Sequence, residues 1–262
     1  MRFMDGDLLN LLFAFLFGLV LGSFLNVCIH RIPKGTSIVR PASSCPSCGE
    51  PIRFYDNIPL LSYALLLGRC RRCGAPISAR YPLVELGTGV LSLFLMGRFG
   101  PSVTYALTMA FVSCLVVVSL IDLEHQVIPD VISLPGILVG IAASFTPWGL
   151  VSWTDAALGA AGGGGFLLAV AWIFHRMTGK EGMGLGDVKL LAMIGAWMGW
   201  RALPFIILLS SLTGILIGGS ALLLMRRGLR VRIPFGPFLS LGALLVLFFG
   251  SRIQWAYYRL LF

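Results

Sequence analysis

From Leu8 to Ile29 the chain carries no charged residue, and runs of similar length and character recur almost to its C-terminus. A helix needs roughly 20 mostly apolar residues to cross a bilayer core, so this recurrence points to a polytopic membrane protein before any motif is read. Composition agrees. Only 12% of residues are charged and 57% are hydrophobic, with a mean hydropathy of +0.90, whereas soluble domains carry about 25% charged residues. The first run is too long for the apolar core of a removable signal peptide. It also lacks a basic segment before it and a small-residue cleavage site after it, so it reads as a first span. The net charge of +9 implies no nucleic acid, because Lys and Arg gather in the cytoplasmic loops of membrane proteins and no separate basic domain is present. Lipid is the expected surrounding.

Hydropathy predicts an all-α fold of about eight transmembrane helices, near residues 8–29, 82–98, 102–121, 131–150, 155–175, 188–201, 203–225 and 235–250. The sixth is short for a full crossing and the Arg201–Leu203 turn is tight, which leaves six or seven spans open. With the N-terminus outside, 15 of the 20 basic residues fall in cytoplasmic segments, a strong positive-inside bias. The expected organisation is a first span at 1–29, a polar cytoplasmic insert at 30–80, and a membrane core of about seven spans at 81–262. Gly159 and the run Gly162–Gly165 predict close helix packing; a dinucleotide loop would need a strand before it and a helix start after it.

The insert holds Cys45-Pro-Ser-Cys48 and Cys70-Arg-Arg-Cys73. Two CxxC turns at this separation have the form of a structural four-thiolate zinc site. A short, coreless segment would draw much of its folding free energy from the metal, and disulfides are disfavoured in a reducing compartment. Cys28 and Cys114 lie in spans and read as small buried hydrophobes.

Carboxylates at membrane depth are costly and are functional candidates by default. Asp5, Asp7 and Asp155 fall at outside helix ends, while Glu50 and Asp56 belong to the insert. Glu85, one turn into the second span, reads either as a buried polar anchor or as a site residue. Asp122 and Asp187 stand out, because the topology sets both at the cytoplasmic edge at the same depth. Asp187 follows Gly182-Met-Gly-Leu-Gly186, whose glycines permit a tight or left-handed backbone and close approach of another strand. Two carboxylates about 3 Å apart share one proton, the requirement for acid–base peptide hydrolysis. Two other readings stay open from the residues alone: helix N-caps, and a cation site in a transporter, although such sites usually lie near the midplane.

Several blocks in fixed order resemble the bacterial type IV prepilin peptidases. They are Gly22-Ser-Phe-Leu-Asn-Val27 with Arg31-Ile-Pro33, Tyr55-Asp-Asn-Ile-Pro-Leu-Leu-Ser62, Arg69 to Ser78 around the second cysteine pair, and Arg80-Tyr-Pro-Leu-Val-Glu85. Beyond these come Ile121 to Asp130, Gly182-Met-Gly-Leu-Gly-Asp-Val-Lys-Leu190, and Pro234-Phe-Gly-Pro-Phe238. Gly184-Leu-Gly186-Asp187 fits the GxGD pattern of intramembrane aspartyl proteases. The resemblance implies that Asp122 and Asp187 are catalytic. It implies removal of a short basic leader from prepilins and pseudopilins, after a glycine and on the cytoplasmic side of the bacterial inner membrane. N-methylation of the new terminus from S-adenosylmethionine is implied as well. No strand–glycine-loop–helix signature marks a site for that methyl donor, and no oligomeric state follows.

Gly184, Gly186, Glu124, Asp130 and Lys189 complete the site as supporting or substrate-contacting candidates. The segment Asp122–Asp130 carries three acids and no Lys or Arg, so it is expected to attract a basic leader. The alternative is that Glu124 and Asp130 only solvate the loop and cap the fourth span.

Overall fold

A computed structural model describes residues 5–180, 184–220 and 234–261. Among these, regular structure is helical apart from two isolated β-bridges in the insert. The α-helices are α1 (Asp5–Arg31), α2 (Leu61–Leu65), α3 (Arg80–Phe99), α4 (Val103–His125), α5 (Asp130–Ser144), α6 (Trp153–Thr178), α7 (Leu185–Met198), α8 (Leu203–Thr213) and α9 (Gly236–Leu261). Among the described residues, five segments are long and apolar enough to cross a membrane: Leu8–Lys34, Arg80–Phe99, Val103–His125, Trp153–Thr178 and Trp200–Ile217. Helix α5 and the Gly236–Gly250 part of α9 are shorter apolar helices.

Turn chemistry moves some boundaries from their expected places. Helix α4 continues past residue 121 and ends only where Gln126 takes a left-handed conformation (φ 54), so Asp122 lies inside the last turn and not in a loop. Helix α5 stops at Ser144, because the N–H groups of Phe145, Thr146 and Gly149 bond carbonyls three residues back and the chain turns around Pro147. Gly182 and the end of the seventh expected span lie outside the described residues.

The chain divides into two compact units after Val117. In the first, α1 packs along α3. A Cβ on Gly18 or Gly22 would stand 2.7 Å from the α3 backbone, at Gly89 and Glu85 respectively. Lipid removes the hydrophobic drive for helices to associate, so close backbone approach at small residues supplies the packing energy. Ser92 adds an interhelical tie, donating to the Ala14 carbonyl at 2.6 Å and meeting the Tyr105 hydroxyl at 2.7 Å.

In the second unit α7 packs against α5 and α6, and α9 against α8. Gly159 on α6 and Gly195 on α7 meet backbone to backbone, and a Cβ on Gly163 would lie 2.6 Å from the Leu191 carbonyl. The glycine run is thus a packing surface at Gly159 and Gly163, while Gly165 meets nothing. Trp197 closes the α5–α7 seam by donating its indole N–H to the Gly136 carbonyl at 2.9 Å. Asp155 sits in the first turn of α6, capped by Ser152, and accepts from Trp200 Nε1 at 3.0 Å.

Candidate active site and cysteine cluster

Both sites arise where glycine lets backbone come close. In the second unit, the left-handed turn at Gln126 sends Ile128 into the interior, where two glycines flank it. A Cβ on Gly186 would come 2.9 Å from Ile128 Cβ, and one on Gly236 would come 3.2 Å from its Cδ1. Ile128 is therefore the peg around which the ends of α4, α7 and α9 converge. Asp122, only 5% exposed, accepts the Gly236 N–H on Oδ2 at 3.0 Å. A methyl group on Gly236 would lie 2.7 Å from that oxygen, so the carboxylate occupies the space that a side chain would need. Half-buried Asp187 stands in the first turn of α7. Both carboxylates line a cavity of about 240 Å³ and interact electrostatically.

This geometry separates the readings open at the sequence level. Asp187 is not the cap of α7: Gly184 holds the N-cap position and no side chain caps that end. Asp122 does bond a helix terminus, but it is the first residue of α9, 114 positions away. Gly184 is not left-handed (φ −76), and Gly186 lies within the helix. Their roles differ from the expected strained turn: Gly186 makes room for Ile128, and a Cβ on Gly184 would meet, among the described residues, only the Gly186 nitrogen at 3.9 Å.

The expected acidic segment has a cation beside it in the fold. Lys189, two residues beyond Asp187, donates to both oxygens of Asp130 at 2.7 and 2.8 Å. Asp130 neither caps α5, whose N-cap is Pro129, nor presents an uncompensated charge. The pair joins α5 to α7 across 59 positions of sequence, so a segment-by-segment charge count does not contain it. Glu124 is exposed, with the His125 ring 4.0 Å away. Gly236, Gln126 and Ile128 were not singled out as site residues from sequence; the Gly-Pro pair opening α9 was the only local hint.

In the first unit, the two cysteine turns are copies of one another. Cys45-Pro-Ser-Cys-Gly-Glu-Pro51 and Cys70-Arg-Arg-Cys-Gly-Ala-Pro76 each place a left-handed glycine after the second cysteine, Gly49 (φ 72) and Gly74 (φ 70). Each glycine N–H bonds the carbonyl of the first cysteine at 2.9 Å, and each turn closes with one antiparallel bridge, Ser44 to Pro51 and Arg69 to Pro76. The repeat C-x-x-C-G-x-P is visible in the sequence at 45–51 and 70–76.

The four sulfurs lie within 4.8 Å of one another, with Cys45 Sγ and Cys73 Sγ 3.8 Å apart. A tetrahedron with metal–sulfur bonds of about 2.3 Å has edges of about 3.8 Å. Backbone N–H groups of Cys48 and Ser47 bring the Cys45 thiol down to about 6. At Cys73 the Ala75 N–H acts in the same sense, but desolvation and the three neighbouring thiols outweigh it and push that group up to about 11. Four thiolates this close would need a divalent cation between them. The donor set thus fits a closed structural site.

Arginines of the second turn fasten it to the rest of the insert. Arg71 pairs with Asp56 through two nitrogens, and Arg72 with Glu50. The Arg71 guanidinium holds the Asp56 carboxyl below its usual range.

Residues 16–99 match the model of the bacterial peptidase A24 N-terminal domain, and residues 109–219 that of the type IV leader peptidase family. Proteins named prepilin leader peptidase/N-methyltransferase are similar along nearly their whole length. The one from Pseudomonas aeruginosa is 42% identical over 266 residues, covering 92% of this chain and 91% of its own. That from Aeromonas hydrophila is 42% identical over 264 residues with the same coverage, and one from Burkholderia pseudomallei is 38% identical over 269, covering 93% and 86%. No solved structure matches the chain.

Proposed function

Since this chain belongs to the type IV leader peptidase family, we propose that it removes the leader from prepilins and pseudopilins and then N-methylates the exposed residue. The observation that carries the peptidase reading is the convergence of Asp122 and Asp187 on one small cavity, with Asp122 seated on the Gly236 N–H. In this reading the two carboxyls share a proton. The ionised member takes a proton from water as it attacks the scissile carbonyl, and the protonated member donates to the carbonyl oxygen. The proton belongs to the pair, so neither residue has a fixed role. An extended substrate segment would lie along Gly184, which lines the cavity beside Asp187. The pair of carboxylates as a cation-transport site finds no support.

Four thiolates at tetrahedral spacing support one structural zinc on Cys45, Cys48, Cys70 and Cys73. Residues 30–80 would then be a cytoplasmic module serving methylation, and the part of 81–262 beyond Val117 the proteolytic core. The charge bias supports an arrangement of about eight spans in the bacterial inner membrane with both sites facing the cytoplasm. The test is incubation of purified protein with a prepilin and S-adenosylmethionine, read by mass spectrometry. Loss of the leader together with gain of one methyl group is expected. An intact precursor would overturn the reading, and truncation without methylation would remove its second half.

A further inference from the structure

The first unit contains a cavity of about 980 Å³ between the insert and the adjoining ends of α1 and α3, far larger than the one beside Asp122. Pockets of roughly 300–1,000 Å³ are the usual size for small-molecule sites. Its wall contains two buried acceptors that helix packing does not explain.

Asn26, 2% exposed, donates its amide N–H groups to the Gly22 and Tyr81 carbonyls at 3.3 and 3.2 Å, and its Oδ1 accepts nothing among the described residues. Buried polar atoms are nearly always satisfied, so one that is not calls for an explanation. Glu85, 8% exposed, accepts from two neutral donors, the Leu60 N–H at 2.9 Å and the Ser23 hydroxyl. Leu60 in turn is held at φ 60, a conformation that bulky L-residues avoid. Backbone strain of this kind persists where the surroundings enforce it, and it clusters at ligand sites.

We infer that this cavity is the methyl-transfer pocket, with Asn26 Oδ1 and the Glu85 carboxylate receiving the positively charged part of S-adenosylmethionine. The inference rests on the N-methyltransferase half of the proposed function. A ligand with a sulfonium, an ammonium and a carboxylate group suits a wall that offers the Glu85 carboxylate and the unpartnered Asn26 oxygen at the membrane helices and basic side chains such as Arg31 and Arg53 elsewhere. Leu60 lies in the Tyr55–Ser62 segment, which Ser62 also fixes by donating to the Tyr55 carbonyl and accepting the Ile58 N–H, at 2.9 and 3.0 Å. Glu85 therefore ties the membrane helix to the segment that roofs the pocket. The donor supplies an electrophilic methyl group: the neutral terminal amine bonds its carbon as the sulfur–methyl bond breaks, leaving a neutral thioether and a methylammonium product. The amine must first lose the proton it carries as ammonium, and Glu85 is the acidic residue within the wall of the membrane helices that would accept it.

Full-length protein in detergent is titrated with S-adenosylmethionine by calorimetry, then irradiated with the methyl-labelled compound and mapped by peptide mass spectrometry. Label is expected within residues 20–31 and 55–85. In Glu85→Gln, whose side-chain oxygen still accepts the Leu60 N–H, Kd should rise about tenfold or more through loss of a charged acceptor. Asn26→Leu should weaken binding too. Ser43→Trp, which fills the cavity without removing any of these hydrogen bonds, should block binding and keeps the test sharp should Asn26→Leu fail to fold. Leader cleavage and zinc content serve as folding controls. Label confined to residues 118–220, or unchanged affinity in Glu85→Gln and Ser43→Trp, overturns the assignment of the pocket. Failure of wild type to bind or methylate overturns instead the methyltransferase reading on which it rests.

Discussion

The two units solve the same problem, holding polar groups at a membrane, by opposite means. The second unit isolates its carboxylates: glycine-lined helix crossings bring α5, α6 and α7 into backbone contact, and Asp122 and Asp187 share a cavity of only about 240 Å³. The first unit gathers polar groups together. Its insert is held by sulfur, arginine–carboxylate pairs and short backbone bridges, above a cavity of about 980 Å³. A small cavity with two acids suits attack of water on one bond. A large one, walled by both membrane helices and a coreless insert, suits a bulky second reactant and depends on whatever keeps the insert folded.

The strongest way to break this division is through the acids. Asp122→Asn and Asp187→Asn should each lower leader cleavage about a thousandfold or more, and the double variant should be no worse, because the groups act as one. Methylation of a synthetic peptide that already bears the mature N-terminus should stay within about twofold of wild type in the same variants. Its collapse would mean that the units share one site. The kcat/KM of wild type should also fall on both sides of an optimum, since activity requires one carboxyl protonated and one ionised. A second cut comes from the other side: replacing Cys70 and Cys73 by Ser should remove about one zinc per chain, measured by elemental analysis, and abolish methylation. Cleavage should retain at least about a third of its rate if the protease does not lean on the insert.

How much of this was legible depends on whether the determinant is local. The cysteine turns and the two acids stand in short motifs whose chemistry is fixed by spacing, so they were readable. The membrane class was readable because apolar length is a one-dimensional quantity. Span ends were less so: Gln126 and the turn at Phe145 reset α4 and α5 through backbone conformation that hydropathy does not register. The seat of Asp122 on Gly236 joins residues 114 apart, and the Asp130–Lys189 pair joins residues 59 apart. No window along the chain contains either.

Gly236 offers a finer test of the second unit. A methyl group there would stand 2.7 Å from Asp122 Oδ2, so Gly236→Ala must displace the carboxylate or the start of α9. A shift of about 1 Å in a catalytic group costs on the order of a hundredfold in rate. The expected result is a kcat lower by about 10- to 100-fold with KM within about threefold, and methylation of the mature peptide unchanged. An equal loss in both activities would point to general unfolding.

The smallest effect concerns charge at the rim of that cavity. Lys189 and Asp130 are partly exposed, their side chains 32% and 55% accessible, so their pairing is screened and modest in energy. Its consequence is better sought in substrate charge. Asp130→Asn leaves Lys189 uncompensated beside Asp187 and should raise the KM for a basic leader about two- to threefold. Lys189→Gln frees the Asp130 carboxylate and should lower that KM by a similar factor. The double variant, neutral at both positions, should return close to wild type. Both single effects should shrink as salt rises, because exposed charges are screened beyond roughly 8–10 Å at physiological ionic strength, and both should fade for a leader whose lysines are replaced by glutamine. The four proteins, measured with both leaders at low and high salt, separate steering from scaffolding. If the pair instead holds α5 against α7, either single change will lower kcat for both leaders alike, regardless of salt, and the double variant will be the worst of the three.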